Sequence, residues 1–235
     1  MIERLGEKLV LQFSETRILG IRLLGLDVMT LIMSWVVMGI IIAFAWWLRK
    51  GLDQDVEDKP SRRLVVLESL MTLLEEQFAG AFESEQLQTQ LFSFISTLFI
   101  FITLSNWISI VPGLSSPTAD FNIPLSFALL IFVVSHYYGM RVNGAGRYLK
   151  SFAEPYPFML PMNLVSEIAK PLSHSFRLYG NVFGGMVLIV VLTARMLPYG
   201  LPAVFQAFYG LFIGAIQAFV FALLAVAYIN VAVEQ

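Results

Sequence analysis

Charge-free apolar runs divide the chain into segments of membrane length. Residues 28–48, 90–119, 121–140 and 196–233 contain no Asp, Glu, Lys or Arg, and residues 157–193 are equally apolar except for a few polar positions. Because a bilayer crossing needs about 20 apolar residues, the pattern predicts an all-α polytopic membrane protein with about five transmembrane helices. We assign the spans to residues 28–48, 90–112, 121–140, 157–193 and 202–233.

One further helix has a different pattern. Between residues 64 and 82, apolar residues recur at helical spacing opposite acidic ones, which predicts an amphipathic helix on the membrane surface or packed on its neighbours. Residues 1–27 carry four acidic and four basic residues without an early apolar run, so a cleavable signal is not expected there. We treat residues 1–235 as a single membrane domain.

The last two spans are unusually long. A helix over residues 157–193 extends roughly 55 Å at about 1.5 Å per residue, whereas the hydrocarbon core is about 30 Å thick. Such helices tilt strongly, bend or break. Pro171 offers a bend and residues 198–202 offer a turn. We therefore expect residues 157–193 and 202–233 to form a long, tilted hairpin.

Basic residues near the span ends predict the orientation. The loops at residues 49–63 and 141–150 are the basic ones, which favours the cytoplasmic side for both. This places the N-terminus outside and the C-terminus in the cytoplasm. The four basic residues of the N-terminal tail argue for the opposite orientation, although four acidic residues accompany them.

Composition excludes several classes of function. The chain is 57% hydrophobic and 14% charged, against roughly 25% charged residues in soluble domains. A net charge of −2 without a basic block argues against nucleic-acid binding, and the lack of cysteine excludes disulfides and thiol chemistry. No motif for a nucleotide, a metal or a catalytic nucleophile is present, so we expect no cofactor and no catalytic site.

Arg177 is the most unusual residue of the apolar segments. An arginine at mid-membrane costs between about 2.5 and more than 10 kcal/mol, and its guanidinium cannot escape by losing a proton. Glu167 is ten residues away, roughly 15 Å along a helix. Compensation must come from polar neighbours, trapped water or a carboxylate on another subunit. Helical spacing places further polar or small residues on one stripe with Arg177, namely Lys170, Ser173, His174, Asn181, Gly184 and Gly185.

Three classes of protein are compatible with such a charge. An arginine at an interface or in a permanent ion pair fits a structural membrane anchor, and a buried charge also fits a secondary transporter, although no internal repeat is present. The third class is an ion-conducting subunit. Gln217 shares a face with Gly210, Gly214 and Tyr228 in the last segment, where a mid-membrane amide can bond to a facing helix. The remaining polar candidates are Asn106, Ser109 and Asp120, and the last is of a residue type that favours turns.

Residues 173–185 (SHSFRLYGNVFGG) carry a resemblance to a known family. An arginine followed by Leu-Tyr-Gly-Asn resembles subunit a of the bacterial F-type ATP synthase membrane sector. The similarity extends to residues 116–120 (SPTAD), 136–139 (HYYG) and 217–219 (QAF). It implies a stator and ion-channel subunit in the bacterial plasma membrane. The implied partners are the ring of c subunits, the peripheral stalk subunit b, the remainder of the synthase, membrane lipid and H⁺ or Na⁺.

The resemblance also implies roles for individual residues. Arg177 matches the arginine that faces the ring carboxylates, Asn181 and Gln217 match positions that support it, and Glu167 matches an acidic position of the cytoplasmic half-channel. Relatives commonly carry a Glu and His pair where this chain has Met186 and Gly210. We expect water, Asn106, Ser109, Asp120 and Tyr228 to line the outer half-channel instead. Lys170, Ser173 and His174 are further candidates for half-channel lining.

Overall fold

The structure is a computed structural model, and it describes residues 10–12, 17–18, 21–22, 25–49, 62–111, 114, 116–154, 156–195 and 201–234. Eight α-helices are present in these ranges: α1 (Val28–Arg49), α2 (Arg62–Phe78), α3 (Glu85–Trp107), α4 (Asn122–Asn143), α5 (Ala145–Ser151), α6 (Leu160–Arg195), α7 (Leu201–Ala207) and α8 (Gly214–Glu234). Five helical stretches are long and apolar enough to cross a membrane. The predicted all-α polytopic class is therefore confirmed.

Short strands precede the first helix. Strand β1 (Val10–Gln12) pairs antiparallel with β4 (Gly25–Asp27), and β2 (Arg17–Ile18) pairs with β3 (Ile21–Arg22). This strand pairing was not predicted for the N-terminal segment. The other residues of that segment, the middle of the basic loop after α1 and the predicted turn at residues 198–200 lie outside the described residues.

Helix α3 begins earlier than its charge-free run suggests. Its first helical residue is Glu85 rather than residue 90, because the Ser84 side chain accepts a hydrogen bond from the Leu87 amide at 3.3 Å and caps the helix. An acidic residue in the first turn also complements the helix dipole. A criterion based on the absence of charge misses this polar first turn.

Helix α8 lies at the centre of the core. Phe221, Ala225 and Ile229 are fully buried, within a cluster to which α2, α3, α4 and α6 also contribute. Small residues allow the close approach of its neighbours. A Cβ atom on Gly139 of α4 would lie 2.6 Å from the Ala232 carbonyl oxygen. The buried polar residues near α8 are therefore set against an apolar core.

Amide side chains fix the arrangement around α8. Asn230 donates to the Ala81 carbonyl before α3 at 2.8 Å, and Asn106 near the end of α3 donates to the Gly214 carbonyl at 2.9 Å. Helices α3 and α8 are thus antiparallel. Asn143 at the end of α4 donates to the Val233 carbonyl at 2.7 Å. The C-terminal ends of α4 and α8 and the N-terminal end of α3 therefore share one side of the molecule.

Helix α6 and the last helix form an antiparallel hairpin. His174 contacts Phe221, whereas Gly185, eleven residues later, lies close to Tyr209. Between α7 and α8 the helix widens into a π-helical turn, Phe208–Ile213. The predicted long hairpin is present, and its strong tilt in a bilayer stays a prediction. The hairpin brings the polar residues of α6 against those of the last helix.

Candidate functional site

Arg177 lies on the outward face of α6. Its side chain is exposed, whereas His174, Ser175 and Leu178 are buried against the rest of the protein. Within the described ranges, Arg177 takes part in no ion pair. The charge that neutralises it in a membrane must therefore come from outside these residues.

Small residues share the exposed face of α6 on which Arg177 lies. Ser173, Gly180 and Gly184 are exposed on the same face, and a Cβ added at either glycine would meet no atom within 4 Å. His174 and Gly185, in contrast, are buried. The polar residues predicted to form a single stripe on this helix therefore lie on two faces. Steps of three and four residues do not return to the same angular position on a helix, so the stripe crosses from the exposed face to the buried face.

Asn181 and Gln217 connect α6 to α8 one turn after Arg177. The Asn181 Nδ2 donates a hydrogen bond to Gln217 Oε1. Gln217 is 5% exposed, and its Nε2 has no hydrogen-bond partner in the described part of the chain. A buried amide donor that lacks a partner is costly unless water or a ligand satisfies it. The pair therefore marks a place where a polar guest is favoured.

A cavity of about 130 Å³ extends from this amide pair between α3, α6 and the π-helical turn. Fifteen residues line it, and none of them carries a charge. Met186 and Gly210 are both among them. Its polar lining residues are Asn106, Ser109, Ser116, Asn181, Gln206, Tyr209 and Gln217. We call this the amide cavity.

Side chains of α3 and α7 hold the wall of the amide cavity. The Trp107 Nε1 donates to the Leu211 carbonyl at 3.1 Å within the π-helical turn, and Gln206 Nε2 donates to the Ser109 carbonyl at 2.6 Å. The Asn106 Oδ1 accepts from Thr118 Oγ1 at 2.7 Å while its Nδ2 donates to α8. Asn106 is therefore satisfied by the protein and fixes the wall. A π-helical turn of this kind is frequent at functional sites.

A second polar cluster lies on the other side of Arg177 along α6. Glu167 accepts a hydrogen bond from Lys170 Nζ, and the His136 Nε2 of α4 is 3.9 Å from Glu167 Oε2. Burial and the negative charge of Glu167 raise the pKa of Tyr148 to about 12, so this phenol keeps its proton. A cavity of about 10 Å³ adjoins the cluster, and we call it the histidine cavity. Among its lining residues are Ser135, Tyr148, Glu167, Lys170, His174 and Tyr228.

Two placements differ from the hypothesis for the outer half-channel. Tyr228 does not join Asn106 and Ser109. It lines the histidine cavity, and its ring lies 5.5 Å from that of His174. Gln217 and Tyr228 are 11 positions apart on α8 and therefore lie at different depths. A role of Tyr228 in the outer half-channel stays a prediction. Asp120 accepts two hydrogen bonds of 3.0 Å from Asn122 at the start of α4, and it does not line the amide cavity.

Sequence reasoning missed Gln206, Tyr209 and His136. Gln206 is a polar residue inside a charge-free run, as Gln217 is. His136 also lies in a charge-free run, but its proximity to Glu167 depends on how α4 packs against α6. Contacts between distant segments are invisible to helical spacing.

Comparison with known proteins gives consistent results. Residues 31–230 match the family described as ATP synthase A chain. ATP synthase subunit a of Desulforamulus reducens is 34% identical over 88% of this chain and 80% of its own length. ATP synthase subunit a 1 of Crocosphaera subtropica is 38% identical over 85% of this chain and 84% of its own. A Propionigenium modestum protein named ATP synthase subunit a, sodium ion specific, is 33% identical over 86% of this chain and 72% of its own length.

Proposed function

Because the chain belongs to the ATP synthase A chain family, we propose that it is the non-catalytic, ion-translocating stator subunit of a rotary F-type ATP synthase. One observation carries the mechanism: Arg177 lies exposed on a face of small residues and has no ion pair among the described residues. Such a face suits close contact with partner helices. The complementary partner is a carboxylate in the ring of c subunits.

The fixed charge of Arg177 explains how a ring carboxylate would release its ion. A nearby guanidinium favours the ionised form of a carboxyl group, and guanidinium itself stays charged at every physiological pH. The carboxylate therefore passes Arg177 as an anion, while the same charge repels a free cation from a direct path. Each elementary charge that crosses gains about 2.3 kcal/mol per 100 mV, which drives the ring.

The two cavities suit two half-channels that are separate from each other. The histidine cavity includes Glu167, which is ten residues before Arg177, and the amide cavity reaches Ile189, twelve residues after it. At about 1.5 Å per residue they extend roughly 15 to 18 Å in opposite directions along α6. An ion that enters one of them would have to ride the ring before it leaves through the other.

The basic residues support an orientation for these half-channels. Arg141, Arg147 and Lys150 lie at the end of α4 and in α5, on the same side as the Glu167 cluster. The excess of basic residues on cytoplasmic loops therefore favours the cytoplasm for the histidine cavity and the outside for the amide cavity. In this arrangement the N-terminus is outside and the C-terminus is in the cytoplasm. A bacterial plasma membrane, its lipid, subunit b and the remaining synthase subunits complete the setting.

Replacement of the arginine tests the proposal. We expect the complex that contains Arg177→Ala to assemble and to lose ATP synthesis driven by a proton or sodium gradient. Arg147→Ala is the matched control, because Arg147 is exposed on α5 and lines neither cavity. Synthesis is measured in vesicles with each gradient in turn, which also identifies the ion. Gradient-driven synthesis by Arg177→Ala at the rate of the control would refute the proposal.

A further inference from the structure

His174 is a buried imidazole between Glu167 and Arg177. It is 1% exposed, and on α6 it follows Glu167 by seven residues, Lys170 by four and precedes Arg177 by three. Positions separated by four and seven residues share a helix face. His174 therefore lies on the same inward face as Glu167, about one turn before Arg177.

The contacts of the ring determine which nitrogen carries the proton. The His174 Nε2 is 3.2 Å from the Phe221 carbonyl oxygen of α8. A carbonyl only accepts hydrogen bonds, so Nε2 is the donor and Nδ1 of the neutral ring is an acceptor. The Phe221 ring lies 3.7 Å from the imidazole, centroid to centroid, and holds its plane. The orientation of the Nδ1 lone pair is thus determined by α8.

The Nδ1 acceptor has no hydrogen-bond partner among the described residues. His174 lines the histidine cavity together with Glu167, Lys170, Ser135, Tyr148 and Tyr228. Its volume of about 10 Å³ is close to the roughly 10–15 Å³ that a single water molecule occupies by the same measure. The site therefore combines a satisfied donor, a free acceptor and space for one water-sized guest.

We infer that His174 is a positioning residue of the cytoplasmic half-channel, whose Nδ1 accepts a hydrogen bond from the water that accompanies the transported ion. The inference rests on the proposed function. The His174 ring is neutral in this role, with its proton on Nε2. The chemistry is the same for a hydronium ion and for the hydration shell of Na⁺, because both present O–H donors. His174 thereby links the Glu167 cluster to the level of the ring carboxylates.

Two amide substitutions separate this role from a purely structural one. In His174→Asn the amide lies where Nδ1 was, so an acceptor is kept and the donor to Phe221 is lost. In His174→Gln the amide reaches the Nε2 position, so the donor to Phe221 is kept and the Nδ1 acceptor is lost. Passive ion conductance is measured in vesicles that contain the assembled complex from which the soluble catalytic part has been detached.

The inference predicts that His174→Gln conducts about five- to tenfold less than the wild type, the effect of one lost hydrogen bond, while His174→Asn conducts better than His174→Gln. A role limited to anchoring α6 on α8 predicts the reverse order. Equal conductance of the two variants, or wild-type conductance in His174→Gln, would overturn the inference. Proton and sodium gradients are applied separately, so the identity of the ion does not affect the comparison.

A second measurement does not require substitution of the histidine. The chain has no cysteine, so Ser135→Cys introduces one thiol at the histidine cavity, and Ser96→Cys, equally buried on α3 and outside both cavities, is its control. Ag⁺ added from the cytoplasmic side should displace the thiol proton and block conduction only in Ser135→Cys. Unchanged conduction there would show that the cavity is not on the path.

Arg177→Ala distinguishes the two proposals in vesicles that retain the soluble catalytic part. If that variant still couples ion flow to ATP synthesis, the proposed function itself fails. If it is uncoupled while His174→Gln conducts like the wild type, only the role of His174 fails.

Discussion

The substitution Gly210→Ala tests how closely the π-helical turn packs on α3 beside the amide cavity. A Cβ atom at residue 210 would lie 2.6 Å from Ile110 Cγ1 and 3.3 Å from its Cδ1. Carbon atoms prefer a separation of about 3.5–4.0 Å, so the methyl group is about 1 Å too close. The Cγ1 atom is a branch near the backbone of Ile110 and cannot swing aside as the end of a long side chain can.

The expected cost is about 1–3 kcal/mol, the usual price of forcing an extra methyl group into a packed contact. Gly39→Ala is the matched control, because it is the same substitution at a helical glycine of α1 whose added Cβ meets nothing within 4 Å. The prediction is therefore that Gly210→Ala is less stable than Gly39→Ala by about 1–3 kcal/mol. The free energy of unfolding is measured by SDS titration in mixed micelles with far-ultraviolet circular dichroism.

Ile110→Ala provides a test of the stated cause. It removes both carbon atoms that the new methyl group would meet, so its combination with Gly210→Ala should be more stable than the sum of the two single effects by about 1–3 kcal/mol. Equal stability of Gly210→Ala and Gly39→Ala would refute the reasoning, and so would a strictly additive double variant. Because Gly210 lines the amide cavity, ion conduction should fall along with stability in Gly210→Ala.

Two further predictions concern the exposed face of α6 around Arg177 and the end of α8. Gly180→Leu adds a bulky side chain where no atom lies within 4 Å, so subunit stability should change by less than about 0.5 kcal/mol. If the proposed ring packs on this face, ATP-driven pumping should fall about tenfold through steric overlap, and pumping equal to that of Gly39→Leu would argue against that contact. A hydrogen bond with Glu234 is the main cause that raises the pKa of Glu83 above 4.5, with desolvation and the charge of Glu234 adding to it. Its protonated form is thus favoured in the folded state, and stability is lost as pH rises through the raised pKa. Glu83→Gln should therefore gain stability over the wild type as pH rises above about 4.5, and a pH-independent difference between the two would contradict this sign.

Much of the candidate site was accessible to sequence reasoning. Arg177 was conspicuous because a permanent charge in an apolar run is costly anywhere in a bilayer. Gln217 was selected for a related reason, since a lone amide at mid-membrane needs a partner. Its predicted bond to a facing helix exists, because Asn181 of α6 donates to it. Roles in ion transfer for these residues stay predictions.

Other parts of the site could not be predicted. Helical spacing placed His174 with Arg177, yet one is buried and the other exposed, because spacing shows which residues are neighbours but not which face meets the core. The depth of Tyr228 on α8 and the approach of His136 to Glu167 both depend on the packing of separate helices.

The sequence by itself determined that the helices lie in a lipid bilayer, how many long apolar helices there are, and that one charge lacks a partner. These properties follow from local hydrophobicity and from the cost of dehydrating a charge, and both are carried by single segments. Only the tertiary structure decided that the polar residues form two cavities on opposite sides of Arg177, and that Met186 and Gly210 line the uncharged one. The physical reason is that a cavity is the space between helices, and its shape depends on close contacts such as those of Gly139, Gly210 and Gly214, which no single helix contains.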